Sequence, residues 1–405
     1  MTRVLHLSTS LSGGSSLAAR RLSGAQNAFG HRSSVVARTS KDLALSDTEL
    51  LMPGNPVKRI LGDMVTLYSI LSTKPNHRPM STFSSPTLDL SSVRELNPEV
   101  VHIHNWFNFL SLHTIREIGE IFPLVFTMHD ERLLTGGCHY KFGCKNSAIG
   151  CVSCPAVNVG QQFVHRNRMQ IQSAILALPK AAIVSPSNWL AIEARNSYLK
   201  GSDIPITVIP NLLEPNFYRE PKMQKHSSNE IVLTFVAVDI GSGYKGLSML
   251  LEALKGFGEA NGTKRICLNI IGGGSIDIPN NMGIDVARLG SLDSSDLTKI
   301  LTMTDLCVVP SLHDNSPSSI IEAQLLQIPV LATRTGGIPD LIEDGVTGYL
   351  CSPTAQGIRG GLERALADND RERVGLRGRE AALLRHDPMN IVSRYDQVYQ
   401  RLLNG

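Results

Sequence analysis

PSLHDNSPSSIIEAQLLQIPVLATRTGGIPDLIEDGVTGYL, Pro310 to Leu350, reads as a strand end, a polar loop, a helix and a further strand. The β-branched run DLCVVPS (Asp305 to Ser311) delivers Pro310 and Ser311 into the loop. Ser316 is placed to cap a helix, and Pro317 to fill its first position, where a missing N–H costs nothing. Ile321 and Leu325 then fall one turn apart on one face, and PVLATRTGG (Pro329 to Gly337) starts the next strand. Strand, helix and strand at this spacing form a βαβ unit in a parallel sheet.

The same alternation extends outward in both directions. Short runs lie at Val4 to Leu7, Val100 to His104, Pro123 to His129, Ala181 to Ser187 and Ile206 to Asn211 in the first half. Ile231 to Val238, Ile266 to Gly274 and Asp285 to Leu292 precede the opening stretch in the second. Leu212 to Glu230, polar and with two prolines, has the composition of a linker. The expectation is an α/β chain of two doubly wound domains, 1–211 and 231–384, facing across a cleft, with linker 212–230. Ile391, Tyr395, Tyr399 and Leu402 at helical spacing make 385–405 a terminal docking helix.

Composition agrees. The 405 residues suit two cores, and 42% hydrophobic content with 34 glycines describes a globular enzyme-like chain. A net charge of +3, without blocks of like charge, argues against nucleic acid as a partner. No secretion signal and no apolar run of about 18 residues is legible, so a cytoplasmic location is expected, where thiols stay reduced.

Ligands of doubly wound sheets bind beyond the carboxyl ends of the strands. There, amides of Ser318 and Ser319 would offer an anion site, and Asp314 and Glu322 could accept hydrogen bonds from sugar hydroxyls on either side of a bound phosphate. Taken alone, the two acids also suit a loop acid and a solvated helix glutamate. Lys245, before Gly246 and an apolar helix, falls at a strand-to-helix loop suited to phosphate. TMHD (Thr127 to Asp130) ends a strand at His129, and Gly13-Gly14 permits close backbone approach before a helix. That pair is not the GxGxxG of a dinucleotide enzyme. HIHNW, His102 to Trp106, suits either the acceptor side of the cleft or simple packing.

Asp314, seven residues, Glu322-Ala323, then Ile328-Pro329-Val330 and Gly336-Gly337-Ile338-Pro339-Asp340 resemble the donor-binding signature of the retaining glycosyltransferases of family 4. The likeness runs from Gly13-Gly14 through VSPSNWL, VIPN and Tyr244-Lys245-Gly246 to the final helix. It implies the GT-B architecture, two Rossmann-like domains with the C-terminal helix returning to the N-terminal one. It also implies transfer of a sugar from a nucleotide diphosphate sugar to a glycan or lipid-linked oligosaccharide in polysaccharide biosynthesis. By the resemblance, Glu322 holds the ribose hydroxyls. Asp314 and the residues Asn315, Ser316, Pro317 and Ser318 meet sugar and phosphates, Lys245 neutralises the diphosphate, Gly13 and Gly14 approach the donor, and His129 contacts the transferred sugar. No cofactor is required. Two departures stand out: Asp314 replaces the more usual Glu, and Asp239 occupies the position of an expected Arg six residues before Lys245. The second keeps a donor-binding subunit without transferase activity in view, beside a nucleotide-sugar epimerase of similar architecture.

Two features lie outside that pattern. Cys138, Cys144, Cys151 and Cys154, in an insert at 135–155 and separated by five, six and two residues, can close one tetrahedral structural zinc site, with His139 able to replace one thiolate. Unligated reduced cysteines are the alternative, with an iron–sulfur site or a disulfide behind them; the cysteine pattern resembles a subset of family 4 enzymes that build bacterial surface polysaccharides. Val57, Ile60, Leu61, Met64, Tyr68 and Leu71 form one helical stripe beside Lys58 and Arg59, which is expected to pack into a core, with peripheral membrane contact as the other reading.

Overall fold

The computed structural model describes residues 1–39, 48–52, 57, 60, 64, 67, 71, 73, 80, 81, 88, 90–158, 160–222, 229–257, 264–280 and 282–405. The chain divides into two compact units: Met1–Leu212 with Pro388–Gly405, and Leu213–Asp387.

The first unit holds seven strands, β1 (Arg3–Ser10), β2 (Arg32–Thr39), β3 (Glu49–Leu51), β4 (Val100–Ile103), β5 (Leu124–Thr127), β6 (Ala181–Ser185) and β7 (Ile206–Val208). They pair in the order β3-β2-β1-β4-β5-β6-β7, every pair parallel. A parallel sheet is covered on both faces, and alternate residues of each strand serve opposite layers. Leu5, Leu7, Val101, Ile103, Leu124 and Phe126 pack with Ile115, Ile118, Ile171 and Ile175 of helices Leu112–Gly119 and Gln161–Leu176. Val4, Val100, Val125 and Val184 face Leu22 of helix Gly14–Ala28 and Ile391, Tyr395, Val398 and Tyr399 of helix Pro388–Asn404. The last helix of the chain therefore completes the first unit.

The second unit has six parallel strands, β8 (Glu230–Asp239), β9 (Arg265–Gly273), β10 (Asp285–Gly290), β11 (Leu306–Val309), β12 (Val330–Thr333) and β13 (Tyr349–Cys351), in the order β10-β9-β8-β11-β12-β13. Helices Leu247–Leu254 and Ala355–Ala367 pack on the face of Leu233, Phe235, Leu268 and Leu331. Helices Ser294–Leu301 and Ser318–Leu325 pack on that of Cys307, Val309, Val330 and Ala332.

The structure differs from the sequence expectations in four places. Strands β2, β3 and β13 carry no long apolar run and are recruited by pairing to β1 and β12. Residues 213–218 are not a loose linker, because Phe217 is fully buried in the second core. Helix Ser318–Leu325 starts one residue later than expected, with Pro317 at the cap, and the Ser316 hydroxyl is buried without a hydrogen-bond partner. Finally, the described residues of the apolar stripe do not pack into a core. Val57, Ile60, Met64 and Leu71, together with Leu67, are helical and 56–69% exposed; Leu61, Tyr68, Lys58 and Arg59 lie outside the described residues.

Candidate functional site

In the second unit, three loops at the carboxyl ends of β8, β11 and β12 are laced together through their backbones. Gly246 has φ +76°, and a β-carbon there would stand 1.9 Å from the Pro310 carbonyl oxygen. Gly336 has φ +53°, and a β-carbon there would lie 2.0 Å from the carbonyl of Asp314. Only glycine serves both demands, left-handed backbone and close approach. Leu312 N–H donates to the Tyr244 carbonyl at 2.7 Å and Gly337 N–H to that of Asp314 at 2.9 Å, while Thr335 Oγ1 donates to the Ser311 carbonyl at 3.0 Å.

This lacing brings Lys245 and Asp314, 69 residues apart in sequence, into a hydrogen-bonded ion pair with Nζ 2.7 Å from Oδ2. Burial opposes the charge on Lys245, but the Asp314 carboxylate outweighs it and the lysine pKa is raised. The other Asp314 oxygen accepts from Asn315 N–H at 3.0 Å. Asp314, Asn315 and Glu322 are all buried, so Glu322 is not a solvated helix glutamate; the burial of Cys307 and, after it, the charge of Glu322 push that thiol up to about 12. Pro317, at the cap of helix Ser318–Leu325, makes no side-chain hydrogen bond to the amides that open it. Lys245, Asp314, Asn315, Ser316, Pro317, Ser318 and Glu322 thus lie on the loops after β8 and β11 and the helix that follows, which bring together a cation, a helix N-terminus and two carboxylates.

Asp239 does not take up the role of a cation. Its Oδ1 accepts from Gly241 N–H at 3.0 Å and its Oδ2 from Ser242 Oγ at 2.8 Å, so the carboxylate closes the turn after β8.

In the first unit, Gly13 has φ +93° and Gly14 begins the helix; a β-carbon on either would meet nothing within 4 Å. His129 follows β5 and lines a pocket with His104, Asn105, Trp106, Asp130 and Arg132. Strand register explains its neighbours. His6 on β1 pairs with His102 on β4, and His104, two residues on, shares the His102 face; Thr127 and His129 continue the same face of β5. The result is a run of imidazoles, three of them buried (His6, His102 and His104) and ending at half-buried His129. His129 Nε2 lies 3.0 Å from His104 Nδ1, and His104 Nε2 lies 2.9 Å from His6 Nδ1. His6 Nε2 lies 2.8 Å from Gln26 Oε1, and His102 contacts Tyr399 Oη at 2.9 Å and Thr127 Oγ1 at 2.7 Å. HIHNW is therefore divided: His102 is packing, while His104 and Trp106 also border the pocket.

Beside His129, Arg132 Nε donates to both oxygens of Asp130, at 2.9 and 2.8 Å. Burial disfavours the Asp130 charge, yet Arg132 and its hydrogen bonds hold the acid below its usual range. Sequence reasoning missed Arg132, His6 and Gln26; the only available signal was a histidine inside an apolar strand.

The four clustered cysteines line one pocket with Tyr140 and Lys141, and Cys138 and Cys154 share a hydrogen bond that, with burial, raises the Cys138 pKa. All seven cysteines are unbridged. Among the described residues, the group of possible ligands whose atoms lie within 4.8 Å of one another is His6, His102 and His104 rather than the thiols.

Two family models cover the chain. The model described as Glycosyltransferase Family 4 matches residues 12–217, and Glycosyl transferases group 1 matches residues 219–381. N-acetyl-alpha-D-glucosaminyl L-malate synthase of Bacillus anthracis is 31% identical over 32% of this chain and 34% of its own length. D-inositol 3-phosphate glycosyltransferase of Corynebacterium aurimucosum is 23% identical over 77% of this chain and 74% of its own. Among solved structures, sucrose-phosphate synthase of Thermosynechococcus elongatus superposes over 100% of both chains with a TM-score of 0.72 at 16% identity, a likeness of fold.

The buried histidines make stability depend on pH. Burial lowers the pKa of His6 to about 4. Burial also lowers that of His129 to about 4 against the pull of Asp130 and with help from Arg132, and it holds His102 and His104 well below 6.5. The unfolded chain then binds more protons, so stability is full above about pH 6.5 and is lost as pH falls toward 4, by about 1.4 kcal/mol per unit for each group. Urea midpoints should drop steeply across that window, and a flat profile from pH 6.5 to 5 would contradict neutral imidazoles.

Proposed function

Because the chain belongs to glycosyltransferase family 4, we propose that it moves a sugar, with retention of anomeric configuration, from a nucleotide diphosphate sugar to a glycan or lipid-linked oligosaccharide. The observation that carries this reading is the ion pair of half-buried Lys245 with buried Asp314, beside the N-terminus of helix Ser318–Leu325. An anionic donor suits that pairing: its diphosphate takes the Lys245 ammonium and the helix amides, and Asp314 is released to a sugar hydroxyl.

In the transfer, the bond from the anomeric carbon to the diphosphate oxygen breaks and the bond to the acceptor oxygen forms; the acceptor proton leaves with the diphosphate. Charge builds on the departing oxygens, and Lys245 with the amides near Ser318 opposes it. Buried Glu322 is assigned to the ribose hydroxyls and His129 to the transferred sugar. With Asp239 held in its own turn, Lys245 carries the side-chain cation role alone at this loop.

Calorimetry against UDP-, GDP- and ADP-sugars tests the assignment. One donor should be preferred, and Glu322→Ala should weaken it on the order of tenfold or more, as expected for losing a hydrogen bond to a charged group. Binding without turnover on any acceptor would favour a donor-binding subunit, and binding unaffected by Glu322→Ala would remove the ribose assignment.

The four thiols are assigned to one structural zinc. Soft sulfur donors around a shared pocket suit that ion, and the described regular structure within the insert is one short 3-10 turn, Lys145–Ser147, beside a small apolar cluster. Elemental analysis should find about one zinc per chain, lost with a lower melting temperature in Cys154→Ser. Metal-free protein with four titratable thiols would leave reduced cysteines instead.

The exposed stripe of Val57, Ile60, Met64, Leu67 and Leu71 is assigned to the surface of a membrane bearing anionic lipid, to which adjacent Lys58 and Arg59 add attraction. Among the described residues no helix is long and apolar enough to cross a membrane, so the contact would be peripheral. Co-sedimentation with anionic vesicles should be reduced by Met64→Glu and Leu67→Glu together; equal binding of that variant would exclude the stripe.

A further inference from the structure

The chain of buried hydrogen bonds from Gln26 to His129 has a direction, and proton counting supplies it. Gln26 sets the starting point. Its amide nitrogen donates to Tyr399 Oη at 3.0 Å, which turns its oxygen toward His6 Nε2 at 2.8 Å; Ser33 Oγ donates to the same oxygen at 2.8 Å. A carbonyl oxygen only accepts, so the His6 proton sits on Nε2.

His6 is fully buried, with three other imidazoles in the same run, and carries a single ring proton. Its Nδ1 is then bare and must accept from His104 Nε2–H across 2.9 Å. The same count applied to His104, also buried, leaves its Nδ1 bare, to accept from His129 Nε2–H across 3.0 Å. One proton per ring and one proton per bond leave no choice at any link.

From this we infer that Gln26, His6 and His104 are positioning residues that fix the tautomer of His129, with its proton on Nε2 turned into the fold and its lone pair on Nδ1. Resting on the transferase reading, this makes His129 a hydrogen-bond acceptor toward a sugar hydroxyl rather than a donor or a cation. The opposite polarity would place the amide nitrogen of Gln26 against His6 and reverse every link at once. The orientation of one glutamine, held through Tyr399 of the last helix, thereby sets the chemistry of a ring three bonds away.

Two-bond nitrogen–proton correlation spectra of the intact chain, labelled with ¹⁵N-histidine, read the tautomers directly at pH 7.5, with His129 assigned by loss of its signals in His129→Gln. The expected result is the Nε2–H form for His6, His104 and His129. Gln26→Leu removes the terminal acceptor, and Tyr399→Phe releases the amide; each should turn the single His129 tautomer into a mixture. An Nδ1–H or imidazolium His129 in the unsubstituted protein would overturn the inference. So would a His129 tautomer unchanged in both variants, or a stoichiometric transition metal on His6, His102 and His104. Because the spectra need no donor or acceptor, failure here is distinct from failure of the transferase reading, which donor calorimetry decides.

Discussion

The carbonyl oxygen of Pro310 occupies the place where a β-carbon on residue 246 would stand, and the rest of the donor-side arrangement depends on that approach. With the loops after β8 and β11 in backbone contact, the side chain of Lys245 comes within reach of Asp314. A second approach of the same kind, Gly336 against the Asp314 carbonyl, fixes the acid from the other side. Backbone packing thus sets the positions from which the two side chains meet, and the entropy of the lysine side chain is the part left to be lost when the pair forms.

The two units solve the problem of buried charge differently. In the second, a half-buried cation and a buried carboxylate neutralise each other, and the pair can be opened by a ligand that offers equivalent charge. In the first, four imidazoles are kept neutral and satisfy one another, with Gln26, Tyr399 and Thr127 at the ends. A neutral polar chain of this kind is satisfied only if every member is present, which is why residues from β1, β4, β5, the first helix and the last helix all meet there.

Legibility in the sequence followed the physics of each element. Strands with β-branched runs such as Ile231 to Val238 were plain, because burial on both faces writes a continuous apolar signal. Arg32–Thr39 was not, since only Val35, Val36 and Ala37 are apolar and its place comes from pairing with β1. Asp314, Glu322 and Lys245 were legible through motif spacing; His6 was not, because its partner His104 is 98 residues away and nothing local marks a histidine among leucines as bonded. The helix cap falls at Pro317 rather than Ser316, because either residue can end a loop and the local sequence does not separate them. The stripe from Val57 to Leu71 shows the converse limit, since periodicity reports that a face is apolar and not what covers it.

The last helix has a consequence for the order in which the protein can be made. Residues 1–212 leave the ribosome with one face of their sheet, Val4, Val100, Val125 and His102, lacking the cover that Pro388–Asn404 will supply. The intervening 213–387 carries its own cores and can fold while synthesis continues. The domain that starts first therefore finishes last, and a chain truncated anywhere before its final helix exposes an apolar sheet face, a ready mark for quality control.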